Sequence, residues 1–147
     1  MKLTGIALVA AMFAAGAAHA EGERTDPNSQ MRGEVMKGIG GAMKVLGDMA
    51  KGDTAYDAAA AEAAKATLVE KADAVQTAFA TMGEADPVSE AKPEIWTSWD
   101  DFVKKDEALK AAAAAADVSS AEAIGASLAA LGGACKDCHT TYRVMKQ

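Results

Sequence analysis

The chain has 147 residues, with 15 Lys or Arg against 21 Asp or Glu and a formal net charge of −6. An acidic balance of this kind argues against nucleic acid, whose phosphates are met by clustered cations, and would steer a basic protein partner toward the surface. The length suits one compact domain with one core.

Residues 1–20 read as a secretory signal: a basic Lys2, an apolar run from Ile6 through Ala18, and a small-residue cleavage site at Ala18-His19-Ala20. The run is too short for a comfortable membrane span and leads into the polar stretch EGERTDPNSQ, so the expectation is cleavage and an exported chain covering residues 21–147. Loss of Lys2 takes the net charge to about −7. No later segment offers the roughly twenty apolar residues of a spanning helix.

After Asp26 the pattern is helical and rich in Ala. A first helix is predicted from Asp26, as N-cap with Pro27 behind it, to Lys51, with Gly52 closing it. A second is predicted from Thr54 to Met82 with Gly83 as terminator, carrying Leu68, Ala72, Val75, Phe79 and Met82 as a buried stripe. Pro87 and Pro93 disfavour helix in the connection that follows. A third helix is predicted over Ser98 to Ala116. The last opens on Ser119, with Glu122 at capping-box spacing, and its inner stripe is Ile124, Leu128, Leu131, Cys135, Cys138, Tyr142 and Met145. Four helices with modest connections predict an all-α, antiparallel up-down-up-down four-helix bundle.

The chemistry sits in Cys135-Lys136-Asp137-Cys138-His139. A redox dithiol of the thioredoxin type stands at a helix N-terminus after a strand, whereas this motif lies late in a helix. A closed zinc site needs four ligands, and after signal removal the chain offers two cysteines and one histidine. Covalent haem uses all three residues at once: the two thiols add to the vinyl groups and His139 reaches the iron. The scarcity of aromatic residues, 5% of the chain, fits a bundle whose centre is filled by a flat porphyrin. Gly132 and Gly133, one turn before Cys135, would leave room for it.

With no second histidine, the far side of the iron is left to methionine, water, a small gas or nothing. Methionine on an apolar stripe is commonly packing material, and Arg32, Met36, Ile39, Met43, Leu46 and Ala50 form one stripe of the first helix. In an antiparallel bundle the end of the fourth helix lies beside the start of the first, which puts Cys138 and His139 level with about residues 33 to 36. Met36 is on the stripe at that level. Met43 is about 10 Å further along, Met49 about 20 Å, and Met31 is off the stripe. Packing above an open iron face is the alternative use of Met36.

The segments MRGEVMKGIGGAMKVLGDMAKG, KPEIW and CKDCHTTYR give the chain a resemblance to the class II c-type cytochromes, the cytochrome c prime family with its low-spin c-556 and c-554 members. The resemblance implies that Cys135 and Cys138 hold one haem c, that His139 is the proximal ligand, and that Arg32 and Arg143 lie near the haem edge, where each would pair with a propionate or remain a solvated charge. It also implies that position 36 carries a shielding Leu, Tyr or Phe in high-spin members, whereas low-spin members ligate iron with a methionine in this region. The glutamine that usually follows the first-helix arginine is Gly33 here. Trp96 and Tyr142 are expected against the haem or in ordinary core.

The function expected is periplasmic electron transfer, with iron cycling between ferrous and ferric under His139 and Met36, and no enzymatic turnover. A five-coordinate protein binding nitric oxide or carbon monoxide is the alternative, and a helical interaction module with an incidental disulfide a more distant one. The expected partners are redox proteins, with basic docking surfaces matching the acidic charge. Pairing of the first and second helices between chains, as in some cytochromes c prime, leaves monomer and homodimer both open.

Overall fold

The structure, a computed structural model, describes residues 23–145; the expected signal segment, residues 1–20, lies outside them. Among the described residues five helices run in order: α1 Pro27–Lys51, α2 Ala58–Phe79, α3 Glu94–Thr97, α4 Trp99–Ala115 and α5 Ala121–Tyr142. Extended pairing among the described residues is limited to one antiparallel bridge between Ala91 and Arg143.

The first helix begins and ends as its sequence predicts. Asp26 is extended and its Oδ1 accepts from Ser29 N at 2.8 Å, Pro27 takes the first helical position, and Gly52 closes the helix at a φ of 80°. The second helix is shorter than predicted at both ends. It starts after Asp57, whose carboxylate accepts from Ala60 N at 2.7 Å, while the N–H of Thr54 is held by Asp48 O at 3.2 Å in the wrap that follows α1. It stops at Phe79 rather than Met82, and side chains from other segments take up a carbonyl at its end and one beyond it. Trp96 Nε1 donates to Phe79 O at 2.8 Å and Arg32 Nη1 to Thr81 O at 2.9 Å.

The connection expected to stay irregular contains one helical turn, α3, immediately after Pro93, where proline's fixed φ favours a helix start. The fourth predicted helix begins one residue late. Ser119 N–H is held by Asp117 Oδ1 at 2.9 Å, which keeps Ser119 in the turn, so Ser120 becomes the cap and accepts from Ala123 N at 3.1 Å.

α1 packs on α2 and α5, and α4 packs on the same two, giving the predicted four-helix bundle with α3 as an added turn. Leu46, Leu68, Phe102, Ile124 and Leu131 are among the deepest core side chains. Phe102 lies 5.2 to 5.5 Å, ring to ring, from Phe79, Trp99 and Tyr142. Two stripes are corrected at their ends: Met82 and Met145 fall beyond their helices and are exposed. In α1 the fully buried row is Ser29, Arg32, Val35, Ile39, Ala42, Leu46 and Met49. Met36, Met43 and Ala50 flank it, half-buried, because the apolar arc of a packed helix is wider than a single row. Among the described residues no helix is long and apolar enough to cross a membrane.

Candidate functional site

A single close approach fixes the register of the two helices that matter most. A Cβ added at Gly125 would lie 4.0 Å from the Ala50 Cβ, so these positions are level where α5 passes α1. The helices run in opposite directions. From Gly125 along α5 to His139, and from Ala50 back along α1 to Met36, the step is fourteen residues in each case, a rise of about 21 Å. Met36 and His139 both line one cleft of about 640 Å³.

That cleft gathers Arg32, Met36, Cys135, Cys138, His139 and Arg143, the six residues singled out from the sequence. Ile39, Phe79, Ile95 and Phe102 supply apolar wall, and Ser89, Glu90 and Ala91 of the α2–α3 connection form part of the rim. Gly132 lines the cleft with nothing within 4 Å of an added Cβ, in keeping with a room-making glycine; Gly133 is not part of the lining. Met43, on the predicted stripe but expected further along the helix than the level of the motif, also lines the cleft. Met49 is in the core, and Met31 is exposed. Tyr142 is both core and lining, whereas Trp96 lies outside the lining and packs on Arg32.

Arg32 is only 5% exposed, which removes the reading of a solvated charge. Its guanidinium lies over the Phe79 and Trp96 rings at 5.7 and 5.3 Å and 4.0 Å from Asp26 Oδ1. Burial lowers its pKa, against the opposing charges of Asp26 and Asp86. Asp26 is held as the anion, chiefly by the Ser29 N–H bond. One donor is left over: Arg32 Nε is buried without a hydrogen-bond partner. Buried donors are seldom left in that condition, so the site fits an acceptor brought by a bound group.

Arg143 is placed differently. Its Nε and Nη2 meet Glu90 Oε2 at 2.7 and 2.6 Å, and the backbone beside it is clamped by Lys92 N to Tyr142 O at 2.9 Å and Val144 N to Glu90 O at 2.7 Å. The loop thus reaches the cleft by pairing with the end of α5.

His139 is half-buried; burial first, and the Arg143 charge second, push its pKa down against the pull of Glu90. That favours the neutral imidazole, the form that ligates metals. Burial raises both thiols, Cys138 to about 11. A dithiol redox centre shows the opposite shift, at a helix N-terminus. Nor do three or more His, Cys, Asp or Glu side chains converge as a metal site among the described residues, as closed zinc coordination would require.

Arg24 and Glu90 are among the lining residues that escaped the sequence reading. Arg24 comes from the arm before α1, where no helical periodicity marks which side chains turn inward. Glu90 lies in the long connection, and only its pairing with Arg143 brings it in. The volume lies within the roughly 300–1,000 Å³ of small-molecule sites. Apolar walls, two thiols and an imidazole on α5, thioethers on α1 and guanidiniums at the lining suit a large flat apolar group with an anionic edge.

Comparison with known proteins bears on this fit. Residues 28–143 match the family model described as Cytochrome C'. Cytochrome c-556 of Agrobacterium fabrum is 36% identical over 151 aligned residues, covering 99% of each chain. Among solved structures, cytochrome c' from Rhodobacter Spheriodes superposes with a TM-score of 0.73 at 30% identity, over 81% of this chain and 96% of its own. A nitric oxide complex of a variant cytochrome c prime from Alcaligenes xylosoxidans gives 0.70 at 26% identity, over 80% and 94%. A family match over most of the chain, a bundle of the same shape and a cleft of the right chemistry agree: the chain belongs to the cytochrome c prime family, the class II c-type cytochromes, electron-transfer proteins with covalent haem c.

Proposed function

We propose that this protein is an exported, periplasmic electron carrier with one six-coordinate haem c. Cys135 and Cys138 hold the group by thioether bonds, His139 ligates the iron from α5, and Met36 ligates it from α1. The observation that carries this reading is the common level of Met36 and His139 across one cleft. When bound, haem supplies one-electron ferrous and ferric chemistry, and a methionine ligand raises its potential. The chain holds two ligands on two packed helices, so little protein rearranges on electron exchange. Arg32, with a spare Nε, and Arg143, paired with Glu90, line the same cleft and would hold the propionates. The signal-like residues 1–20 support export. The acidic net charge supports a basic redox partner meeting the outer helix faces.

Electron paramagnetic resonance and visible spectra of the holoprotein test the ligation. The wild type is expected to be low-spin and Met36→Ala high-spin with a lower midpoint potential, while Met43→Ala stays low-spin. A high-spin wild type unchanged by Met36→Ala would overturn the assignment. The nitric oxide complex of a structural relative supports a second reading, a five-coordinate protein that binds nitric oxide or carbon monoxide. That reading predicts the overturning spectrum together with tight gas binding.

A further inference from the structure

Arg24 is a half-buried cation in a segment outside the helices, yet its position is well defined. Thr25 N and Asp26 N both donate to Asp86 Oδ2, at 3.1 and 3.3 Å, and Gln30 Nε2 donates to Arg24 O at 2.7 Å. The arm so pinned lays the guanidinium against α1 at Gly33. A Cβ on Gly33 would come within 2.9 Å of Arg24 Cζ and Nη1, closer than such atoms tolerate. Both residues line the haem cleft.

The charge balance there is unfinished. Arg24 makes no ion pair or hydrogen bond through its guanidinium among the described residues, and it is near enough to Arg32 for the two charges to repel. Arg32 has Asp26 but keeps its buried Nε without an acceptor. Two guanidiniums lining one cleft, one unpaired and one with a donor to spare, make a site for an anion. The family's cofactor brings two carboxylates to the protein.

We propose that Arg24 is a cofactor-binding residue: its guanidinium, seated in the space that glycine at position 33 leaves open, holds a haem propionate together with Arg32. Gly33 is then a specificity device, since any side chain there displaces the far end of Arg24. The displacement is mechanically cheap because the atoms that must move end a flexible chain. Loss of the cation leaves the propionate charge uncompensated, which favours ferric over ferrous iron and lowers the potential.

The inference rests on the family's haem and not on the ligation by Met36, and the experiment keeps the two apart. Midpoint potentials and visible spectra are measured on holoprotein carrying Arg24→Gln, Arg24→Lys, Gly33→Ala, and Arg24→Gln with Gly33→Ala. Arg24→Gln and Gly33→Ala should each lower the potential by a similar amount, the double variant should fall no further, and Arg24→Lys should keep most of the wild-type value. The iron-ligand bands should match wild type throughout, whichever spin state that is. An unchanged potential in Arg24→Gln, additive falls in the double variant, or a fall accompanied by altered ligand bands would each overturn the assignment.

Discussion

Gly83 stands at a φ of +75°, and a Cβ there would run into the carboxylate of Asp26. Both constraints act on one atom. The left-handed backbone alone costs a non-glycine residue about 1–2 kcal/mol, and displacing Asp26 disturbs the N-cap of α1, the Glu84 N–H bond at 3.2 Å and the ion pair to Arg32. Gly83→Ala should therefore destabilise the fold by at least about 1–2 kcal/mol in denaturant unfolding, while Gly132→Ala, which meets nothing within 4 Å in the polypeptide, should act on haem loading instead. Gly83, though not the terminator of α2, which closes at Ala80, was legible as a break in the helical pattern. Its contact with Asp26 was not, since 57 positions separate them and nothing in the local pattern joins the two.

At the scale of elements, the informative joint is the last turn of α5. Tyr142 is buried and its hydroxyl donates to Asp101 Oδ2 at 2.7 Å, tying α5 to the first turn of α4. Burial and the Asp101 carboxylate raise the phenol from its ordinary value near 10 to about 12. A pKa raised by folding favours the native state while the unfolded chain's phenol keeps its proton. The stability so gained is complete below pH 10 and is lost as pH rises from 10 to about 12. Tyr142→Phe should cost about 0.5–1.5 kcal/mol at neutral pH and should flatten this alkaline limb in stability measured across pH. Helix ends divide by the same logic of local and distant control. Asp26, Pro27 and Gly52 act on their own neighbours and announce α1 from the sequence. At the end of α2 Trp96 and Arg32 reach in from other segments, and periodicity carried the prediction three residues too far.

For the molecule as a whole, the cofactor is part of the core. Phe79, Phe102 and Tyr142 both close the bundle's centre and face the cleft, so the two halves of the interior share side chains. Protein prepared without haem, through Cys135→Ala with Cys138→Ala, is expected to admit water to that apolar wall, lose cooperative unfolding and melt well below the holoprotein by circular dichroism. The bundle and the level of Met36 against His139 were legible because both follow from counting along two antiparallel helices. Arg24 and Glu90 were not, because each enters the cleft from irregular chain whose path is fixed by distant bonds, Asp86 to the arm and Arg143 to the loop. One consequence reaches beyond stability. Asp26 caps α1, accepts from the chain leaving α2, neutralises Arg32 and leaves no room for a side chain at Gly83. In evolutionary terms, positions 26, 32 and 83 form one unit of inheritance: a lineage that alters the carboxylate lifts the clash at position 83, leaving only its left-handed backbone to favour glycine, and takes from the arginine its nearest counter-charge, so the three should drift together.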